Sequence, residues 1–168
     1  MTQDGQNNTQ EPEQHLPSIQ IQRVYLKDVS LEMPDAPKIF LDSGETRLEI
    51  QIRVEPTSLE SHFYEVAVTA TITAYSRPAE KAPEHLRFLL ETKQAGIFEV
   101  KNVPNNDIDQ ALRVVCPSYV YPYLRVTIAD LLTRASLPPV HLADVNFGEI
   151  LAQEQRPEEE TPAVVTKH

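Results

Sequence analysis

IQIQRVYLKDVSLEMPDAPKIF, residues 19–40, is the stretch from which the fold can be predicted. Apolar and polar side chains alternate along its first part, which is typical of a β-strand. A typical strand has roughly 5–6 residues, and this one is predicted to run more than twice as far. A strand of that length needs more than one neighbour, or a second chain, with which to pair.

The alternation predicts two faces for this first strand. The apolar face holds Ile19, Ile21, Tyr25, Val29, Leu31 and Met33, and the polar face holds Gln20, Gln22, Asp28, Ser30 and Glu32. Val24 and Leu26 fall on the polar side, so the middle of the strand is expected to be apolar on both faces. Pro34 and Pro37 follow the strand and interrupt any ladder, because proline has no N–H to donate.

Three further strands are predicted before any helix. Residues 47–55 alternate strictly, with Leu48, Ile50, Ile52 and Val54 on one face. Such a pattern indicates one covered and one solvated face, as in antiparallel sheets. Residues 62–75 and 86–100 form the next two strands, and Ala95-Gly96 is expected to introduce a bend or bulge. Because no helix separates these strands, the sheet is predicted to be antiparallel.

The second half of the chain changes to helical spacing. Asp107 is the predicted N-cap of a helix that carries Ile108, Ala111, Leu112 and Val115. Pro117 and Pro122 are expected to interrupt this helix. The apolar stripe then continues through Leu124, Ile128, Leu131 and Leu132 to about Ala135, and Pro138-Pro139 ends it. Asn146 is predicted to cap a short last helix, with Glu149 three residues on. Strands followed by helices indicate an α+β fold with helices on one sheet face.

Composition sets the domain limits. The chain of 168 residues is long enough for one domain with a sizeable core. Residues 1–17 and the acidic tail 153–168 are predicted to be disordered, because neither can bury enough apolar area to offset its ordering entropy. The folded domain is therefore predicted to span residues 18–152.

Charge and residue counts exclude several function classes. A net charge of −10 disfavours nucleic acid and anionic membranes as partners and favours solubility or a basic partner. Four glycines are too few and too scattered for a phosphate-binding loop. One cysteine, no signal-peptide pattern and no apolar run of ~20 residues together predict a cytoplasmic protein without direct membrane insertion.

No catalytic constellation is recognisable, so the chain is not expected to be an enzyme, and neither a metal nor a cofactor is predicted. Cys116 could act as a nucleophile with His62 or His141, but a lone cysteine with apolar neighbours is usually core filling. The carboxylates Asp28, Glu32 and Glu91 are either a solvated sheet surface or an acidic docking patch.

Several separate motifs together resemble the SecB-type protein-export chaperones. Besides residues 19–40 they are QAGIF (94–98), CPSYVYPYLRV (116–126) and LPPVHLADVNF (137–147). The resemblance covers about residues 19–152. It implies a four-stranded antiparallel sheet with a crossover after the first strand, helices packed on one face, and a homotetramer built as a dimer of dimers. It also makes the first strand a dimer seam.

The resemblance further implies a cytoplasmic holding chaperone that uses no ATP. Such a protein binds unfolded precursor polypeptides, keeps them competent for translocation and delivers them to the SecA-type ATPase of the Sec export pathway. The competing hypothesis is a β-sheet protein that binds a small ligand in an apolar cavity, and an enzyme is a distant third.

Three groups of site residues are carried over from the resemblance. The client-binding group is Ile39, Phe40, Leu48, Ile50, Ile52, Leu142, Phe147 and Ile150. The group that contacts the partner ATPase is Asp28, Glu32, Leu89 and Glu91. The group that affects oligomer assembly is Leu90, Thr92 and Gln94. From the pattern alone, the stripe Leu48, Ile50 and Ile52 would be assigned to the core. The resemblance instead assigns this stripe to client binding.

Overall fold

Four long strands and one long helical stretch make up the computed structural model, which describes residues 16–77 and 83–154. The strands are β1 (Ser18–Glu32), β2 (Glu45–Ser58), β3 (Phe63–Arg77) and β4 (His85–Lys101). The helices are α1 (Asn105–Gln110), a π-helical segment (Ala111–Val115), α2 (Cys116–Arg134) and α3 (Phe147–Glu154). Most of the two predicted disordered segments, 1–17 and 153–168, lies outside the described residues.

The strands form one antiparallel sheet in the order β1-β4-β3-β2. Since β1 and β2 occupy opposite edges, residues 33–44 carry the chain across the sheet, with a short 3-10 turn at Lys38–Leu41. Helix α2 contacts β3 and β4 on one face. We call this the helix face and the other the open face. The predicted α+β fold, with its four-stranded antiparallel sheet, crossover and helices on one face, is confirmed.

The core lies between the helix face and α2. Val66, Val68 and Ile72 of β3 and Leu90 and Phe98 of β4 are completely buried there. They meet a buried row along α2, which consists of Val120, Leu124, Ile128 and Leu132. Cys116 lies in the same cluster, fully buried, and fills space as predicted.

Two β-bulges change the faces predicted for β1. Gln22 and Lys27 are extra residues in the β1–β4 ladder, between Ile21 and Arg23 and between Leu26 and Asp28. Each bulge reverses the phase of the strand. Val24 and Leu26 therefore share the helix face with Ile21, and Tyr25 lies on the open face. The prediction of a middle section apolar on both sides was wrong for this reason.

The expected bulge at Ala95-Gly96 is also absent from the described ladders. Both residues pair in register with β1 and β3, and the irregularity of β4 against β3 falls at Arg87 instead. Gly96 has a different role. A Cβ built there would lie 2.8 Å from Phe98 Cε2 and 3.0 Å from Val120 Cγ2. Only a glycine allows α2 to approach the sheet this closely.

The long helical stretch, residues 105–134, is continuous and not interrupted by proline. Cys116 N–H bonds to the Ala111 carbonyl five residues back, so the helix widens to a π turn just before Pro117. Pro122 lies inside α2. A proline removes one backbone hydrogen bond, and packing of the buried row compensates for that loss. The predicted interruption was wrong. So was the predicted N-cap, because Pro104 holds that position and Asp107 lies in the first turn.

The predicted end of α2 and the predicted start of α3 are both close to those in the structure. Helix α2 ends with Ser136 in the left-handed conformation, at φ 59°. Leu137 N–H bonds to the Leu132 carbonyl (2.9 Å) and Ser136 N–H to the Thr133 carbonyl (3.0 Å), which is a Schellman motif. Asn146 caps α3 as predicted, since its Oδ1 accepts from Gly148 N–H at 3.0 Å.

Candidate functional site

An apolar stripe runs along the uncovered edge of the helix face. Leu48, Ile50 and Ile52 of β2 point to that face, because they pair with buried Ala74, Ile72 and Ala70 of β3. Helix α2 packs on β3 and β4, so β2 projects beyond it. Leu48 is 38% exposed and Ile50 is 44% exposed, whereas Ile52 is half-buried. Apolar side chains are therefore open to solvent along β2.

A cavity adjoins one end of this stripe. Its volume is about 170 Å³, and it lies between the start of β2 and the segment after α2. Leu48 and Phe88 form its sheet side. Leu137, Pro138, Pro139 and Val140 form its other side. The stripe and the cavity together make one apolar groove, which we call the β2 groove.

The other predicted client-binding residues separate into exposed and buried positions. Phe40 is 48% exposed and Ile150 is half-buried. Ile39, Leu142 and Phe147 are buried in the core of the chain. These three can support the wall of a groove but do not present a surface.

Contacts around Tyr121 explain why Phe147 is buried. The Phe147 ring packs edge-on against the Tyr121 ring, with 5.6 Å between their centroids. The Tyr121 hydroxyl donates to the Ala143 carbonyl at 2.6 Å, which holds the segment before α3 against α2. The start of α3 is thereby fixed to the core.

A polar cluster anchors the crossover beside the β2 groove. The guanidinium of Arg87 donates to the carbonyls of Ile39 (3.2 Å) and Gly44 (3.4 Å). Asp42 accepts from the Ser76 hydroxyl and from Gly44 N–H, the latter at 2.8 Å. These two bonds, the first being the larger effect, lower the pKa of Asp42. Sequence reasoning missed this cluster, although the Asp-Ser-Gly turn at residues 42–44 is a recognisable signal.

The four residues predicted to contact an ATPase lie together on the open face. In the β1–β4 ladder Glu32 pairs with Leu89, and Asp28 pairs with Lys93, two residues beyond Glu91. Asp28, Glu32 and Glu91 are exposed. The register thus places three carboxylates and Leu89 along one stretch of the open face. We call these four residues the acidic patch.

The three residues predicted to affect assembly face the opposite way. Leu90, Thr92 and Gln94 lie on the helix face of β4 and are buried within one chain. Gln94 Oε1 accepts from the Thr127 hydroxyl of α2 at 3.2 Å. Leu90 and Thr92 are therefore completely covered, and only Gln94, at 5% exposure, reaches the edge of a surface cavity.

A second exposed apolar surface, not identified residue by residue from the sequence, lies at the β1 edge. Ile21, Leu26 and Val29 are exposed on the helix face of β1. Tyr119, Tyr123 and Val126 are exposed at helical spacing on α2. A cavity of about 300 Å³ lies beside the α2 row, lined by Tyr123 and Val126 of α2 and by Gln94 of β4, the ladder partner of Leu26. We call these six residues the β1–α2 surface.

Residues 16–77 and 83–154 have further properties that bear on function, namely the grouping of metal-ligating side chains, the reactivity of the thiol and the apolar character of the helices. No group of three His, Cys, Asp or Glu side chains there could hold a metal ion. Burial raises the pKa of the Cys116 thiol to about 12, so the reactive thiolate is disfavoured. None of the helices described in residues 105–154 has the length and apolar character needed to cross a membrane.

Comparison with known proteins gives one consistent result. Residues 12–158 match the family model described as preprotein translocase subunit SecB. The protein-export protein SecB of Verminephrobacter eiseniae is 48% identical over 143 residues, which are 85% of this chain and 90% of that protein. The protein of the same name from Methylibium petroleiphilum is 47% identical over 140 residues, covering 83% of this chain and 82% of the relative.

A solved structure gives the same fold. It is a SecB-like chaperone of Mycobacterium tuberculosis in complex with a ChAD peptide from an antitoxin. The TM-score is 0.62 at 15% identity, and the match covers 76% of this chain and 91% of that one. At this identity the likeness concerns the fold alone. Because the family model spans most of the sequence and close relatives share nearly half of their residues with it, this chain belongs to the SecB family of protein-export chaperones.

Proposed function

We propose that this chain is a cytoplasmic holding chaperone that works without ATP. It binds unfolded precursor polypeptides, keeps them competent for translocation and delivers them to the SecA-type ATPase. The observation that carries this proposal is the β2 groove, in which Leu48 and Ile50 are open to solvent beside an apolar cavity. Exposed apolar surfaces of this kind mark sites that bind other polypeptides.

The chemistry of the groove suits an unfolded client. Unfolded chains expose the apolar side chains that folded proteins bury, so an open apolar stripe distinguishes the two states. Phe40 and Ile150, which are not fully buried, are included with Leu48, Ile50 and Ile52 in the proposed contact surface. Buried Ile39, Leu142 and Phe147 hold the walls in place.

Holding follows from mass action. A protein that binds the unfolded state and not the native state shifts the folding equilibrium of its client toward the unfolded state. Hydrolysis of a nucleotide is not required for this effect. Several grooves in one oligomer raise the apparent affinity for a long client, because the second contact forms at high effective concentration. We therefore propose the homotetramer, a dimer of dimers, as the working form.

The test of holding uses the purified full chain and a slow-folding precursor. We expect refolding of the denatured precursor to slow in the presence of a stoichiometric amount of this protein. Sizing should show a tetramer that shifts to a larger species with the denatured precursor and does not shift with the folded one. An unchanged refolding rate would contradict the proposal, and a small molecule copurifying with the protein would favour the ligand-binding alternative.

Delivery is proposed to use the acidic patch. Replacing Asp28 and Glu91 together by lysine should weaken binding of a SecA-type ATPase by at least about fivefold at low salt, and less at high salt because charges are screened beyond roughly 8–10 Å. Both side chains are exposed, so the fold should be unaffected. The measurement is a binding titration at two salt concentrations, together with the refolding assay.

The matched control reverses two other exposed carboxylates, Glu45 and Glu60, which changes the net charge by the same amount. Binding of the ATPase should stay within about twofold of the parent, since surface charges far from a contact contribute little. Loss of client holding in the Asp28/Glu91 variant would show that the docking and client surfaces are not separate.

A further inference from the structure

A lysine lies at one end of the acidic patch, beside Asp28. Lys93 is the direct ladder partner of Asp28 and points to the open face, two residues from Glu91 on the same strand. Side chains of direct cross-strand partners lie about 4.5–5.5 Å apart at Cβ, close enough to form an ion pair. From the register alone, Lys93 is expected to neutralise Asp28 or Glu91.

The ammonium of Lys93 points away from Asp28 and Glu91, toward β2. Its Nζ lies 2.7 Å from Glu55 Oε2, and Glu55 belongs to β2, two strands from Lys93 on β4 and at the opposite edge of the sheet from Asp28 on β1. To reach it, the lysine side chain crosses β3, where Ala67 pairs with Glu55 and Thr69 pairs with Lys93. Ala67 and Thr69 are small and buried on this otherwise open face, which agrees with a side chain lying over them.

Lys27 is withdrawn from the patch in the same manner. It is the extra residue of the second β1 bulge, and its Nζ lies 2.5 Å from Oε2 of the nearly buried Glu65 on β3. The Tyr25 hydroxyl donates to the same carboxylate. With both neighbouring lysines engaged elsewhere, Asp28 and Glu91 form no ion pair with any residue in the described part of the chain.

The electrostatics of Lys93 agree with this position. Its hydrogen bond to Glu55 is the largest influence raising the pKa of Lys93, and the charges of Glu91 and Asp28 raise it further. The reciprocal bond from Lys93 lowers the pKa of Glu55. The ammonium therefore interacts favourably with carboxylates on both sides, and its direct ion pair is with Glu55.

We propose that Glu55 and Lys93 together set the strength of the acidic patch. Glu55 acts as a positioning residue that holds the lysine away, and this leaves Asp28 and Glu91 free to receive arginine or lysine side chains of a basic partner. The inference rests on the proposed docking of the SecA-type ATPase on this patch. It adds that Lys93, when released, competes with the partner for the same carboxylates.

Three variants test the pair by titration with a purified SecA-type ATPase. Lys93→Gln removes a cation that Glu55 already holds away from Asp28 and Glu91, so binding should tighten by less than about twofold at low salt. Glu55→Gln releases Lys93 toward Asp28 and should weaken binding about threefold. In the double variant the Glu55 substitution should have no further effect, because the residue through which it acts is gone.

The double variant separates positioning from a general effect of charge. If Glu55→Gln weakens binding equally with and without Lys93, Glu55 acts through its own charge and the inference is overturned. Tightening by Lys93→Gln that is as large as the weakening by Glu55→Gln also overturns it, because Lys93 would then already compete with the partner in the parent. The matched control is Lys101→Gln, which removes the same charge from the same strand and face at the far end, where Lys101 pairs with Glu99 at 2.5 Å. Binding by this control should stay within about 1.5-fold of the parent.

Failure of the docking proposal is recognised separately. If the parent does not bind the ATPase, or if reversing Asp28 and Glu91 leaves binding unchanged, the acidic patch is not the docking surface and both proposals fall. If that reversal weakens binding while the Lys93 and Glu55 variants behave additively, the docking surface stands and the positioning role is rejected.

Discussion

Gly96 sets the distance between the sheet and α2. Its neighbours Phe98 and Val120 are both completely buried, and a Cβ at this position would come within 3.0 Å of each. Contacts that short require a side chain or the helix to move. The glycine of the QAGIF motif is thus explained by close packing of a helix on a strand, with no need for an unusual backbone conformation.

Gly96→Ala should destabilise the fold by about 1–3 kcal/mol, the usual cost of overpacking a core. The measurement is the free energy of unfolding in urea. In the control, Val120→Ala removes the helix-side methyl groups that the new Cβ would meet. The double variant should then be less destabilised than the sum of the two single changes. Strict additivity would show that the contact with Val120 is not the cause.

The candidate groove shows which residue-level features a sequence can predict. Strict alternation identified Leu48, Ile50 and Ile52 as one face, and the ladder with β3 confirms that shared face. Whether an apolar residue is covered depends on distant segments, and here α2 stops short of β2. Periodicity carries no information about that coverage. The same reason explains why Ile39 and Phe40, adjacent in sequence, differ so much in exposure.

At the scale of elements, the errors arise from irregularities inside long elements. The predicted faces of β1 failed because each bulge shifts the alternation by one residue, and neither Gln22 nor Lys27 carries a glycine or proline signal. Pro117 and Pro122 gave the opposite error, because they predicted an irregularity, an interrupted helix, that does not occur. A helix anchored along a buried row tolerates a local loss of hydrogen bonds, and the π turn before Pro117 absorbs part of the irregularity.

The β2 groove gives the prediction at this scale. Leu48→Ser and Ile50→Ser together should reduce the ability to slow precursor refolding by about tenfold, because each buried aliphatic side chain contributes roughly 1.5–3 kcal/mol when fully covered and these are only partly covered by a client. Both residues are exposed in the free chain, so the urea midpoint should stay close to that of the parent.

The matched control for the groove is Leu59→Ser. Leu59 is 47% exposed, similar to Ile50, and lies in the turn after β2, away from the cavity. It should hold clients as well as the parent does. Equal loss of holding in the control would mean that general surface hydrophobicity, and not the β2 groove, binds the client.

Over the whole molecule, three surfaces occupy different regions of one sheet. The β2 groove lies at one edge of the helix face, the β1–α2 surface lies at the other edge, and the acidic patch lies on the open face. The proposed client, partner and assembly contacts therefore do not overlap on the single chain. The β1 edge also offers unpaired backbone groups, which a second chain can satisfy.

The separation predicts that assembly can be disrupted at the β1–α2 surface without changing the fold. Val126 is 70% exposed in the single chain, and Leu26 is 44% exposed. Replacing both with arginine should convert the proposed tetramer to a smaller species, because charges in an apolar interface lose their hydration. Sedimentation measures the mass, and circular dichroism checks the fold.

Leu41→Arg is the control. Leu41 is 89% exposed on the crossover, so this substitution should leave the mass unchanged. If the Leu26/Val126 variant keeps the mass of the parent, the assembly contact lies elsewhere. If the variant is smaller and also slows precursor refolding less, effective concentration across several grooves contributes to client binding.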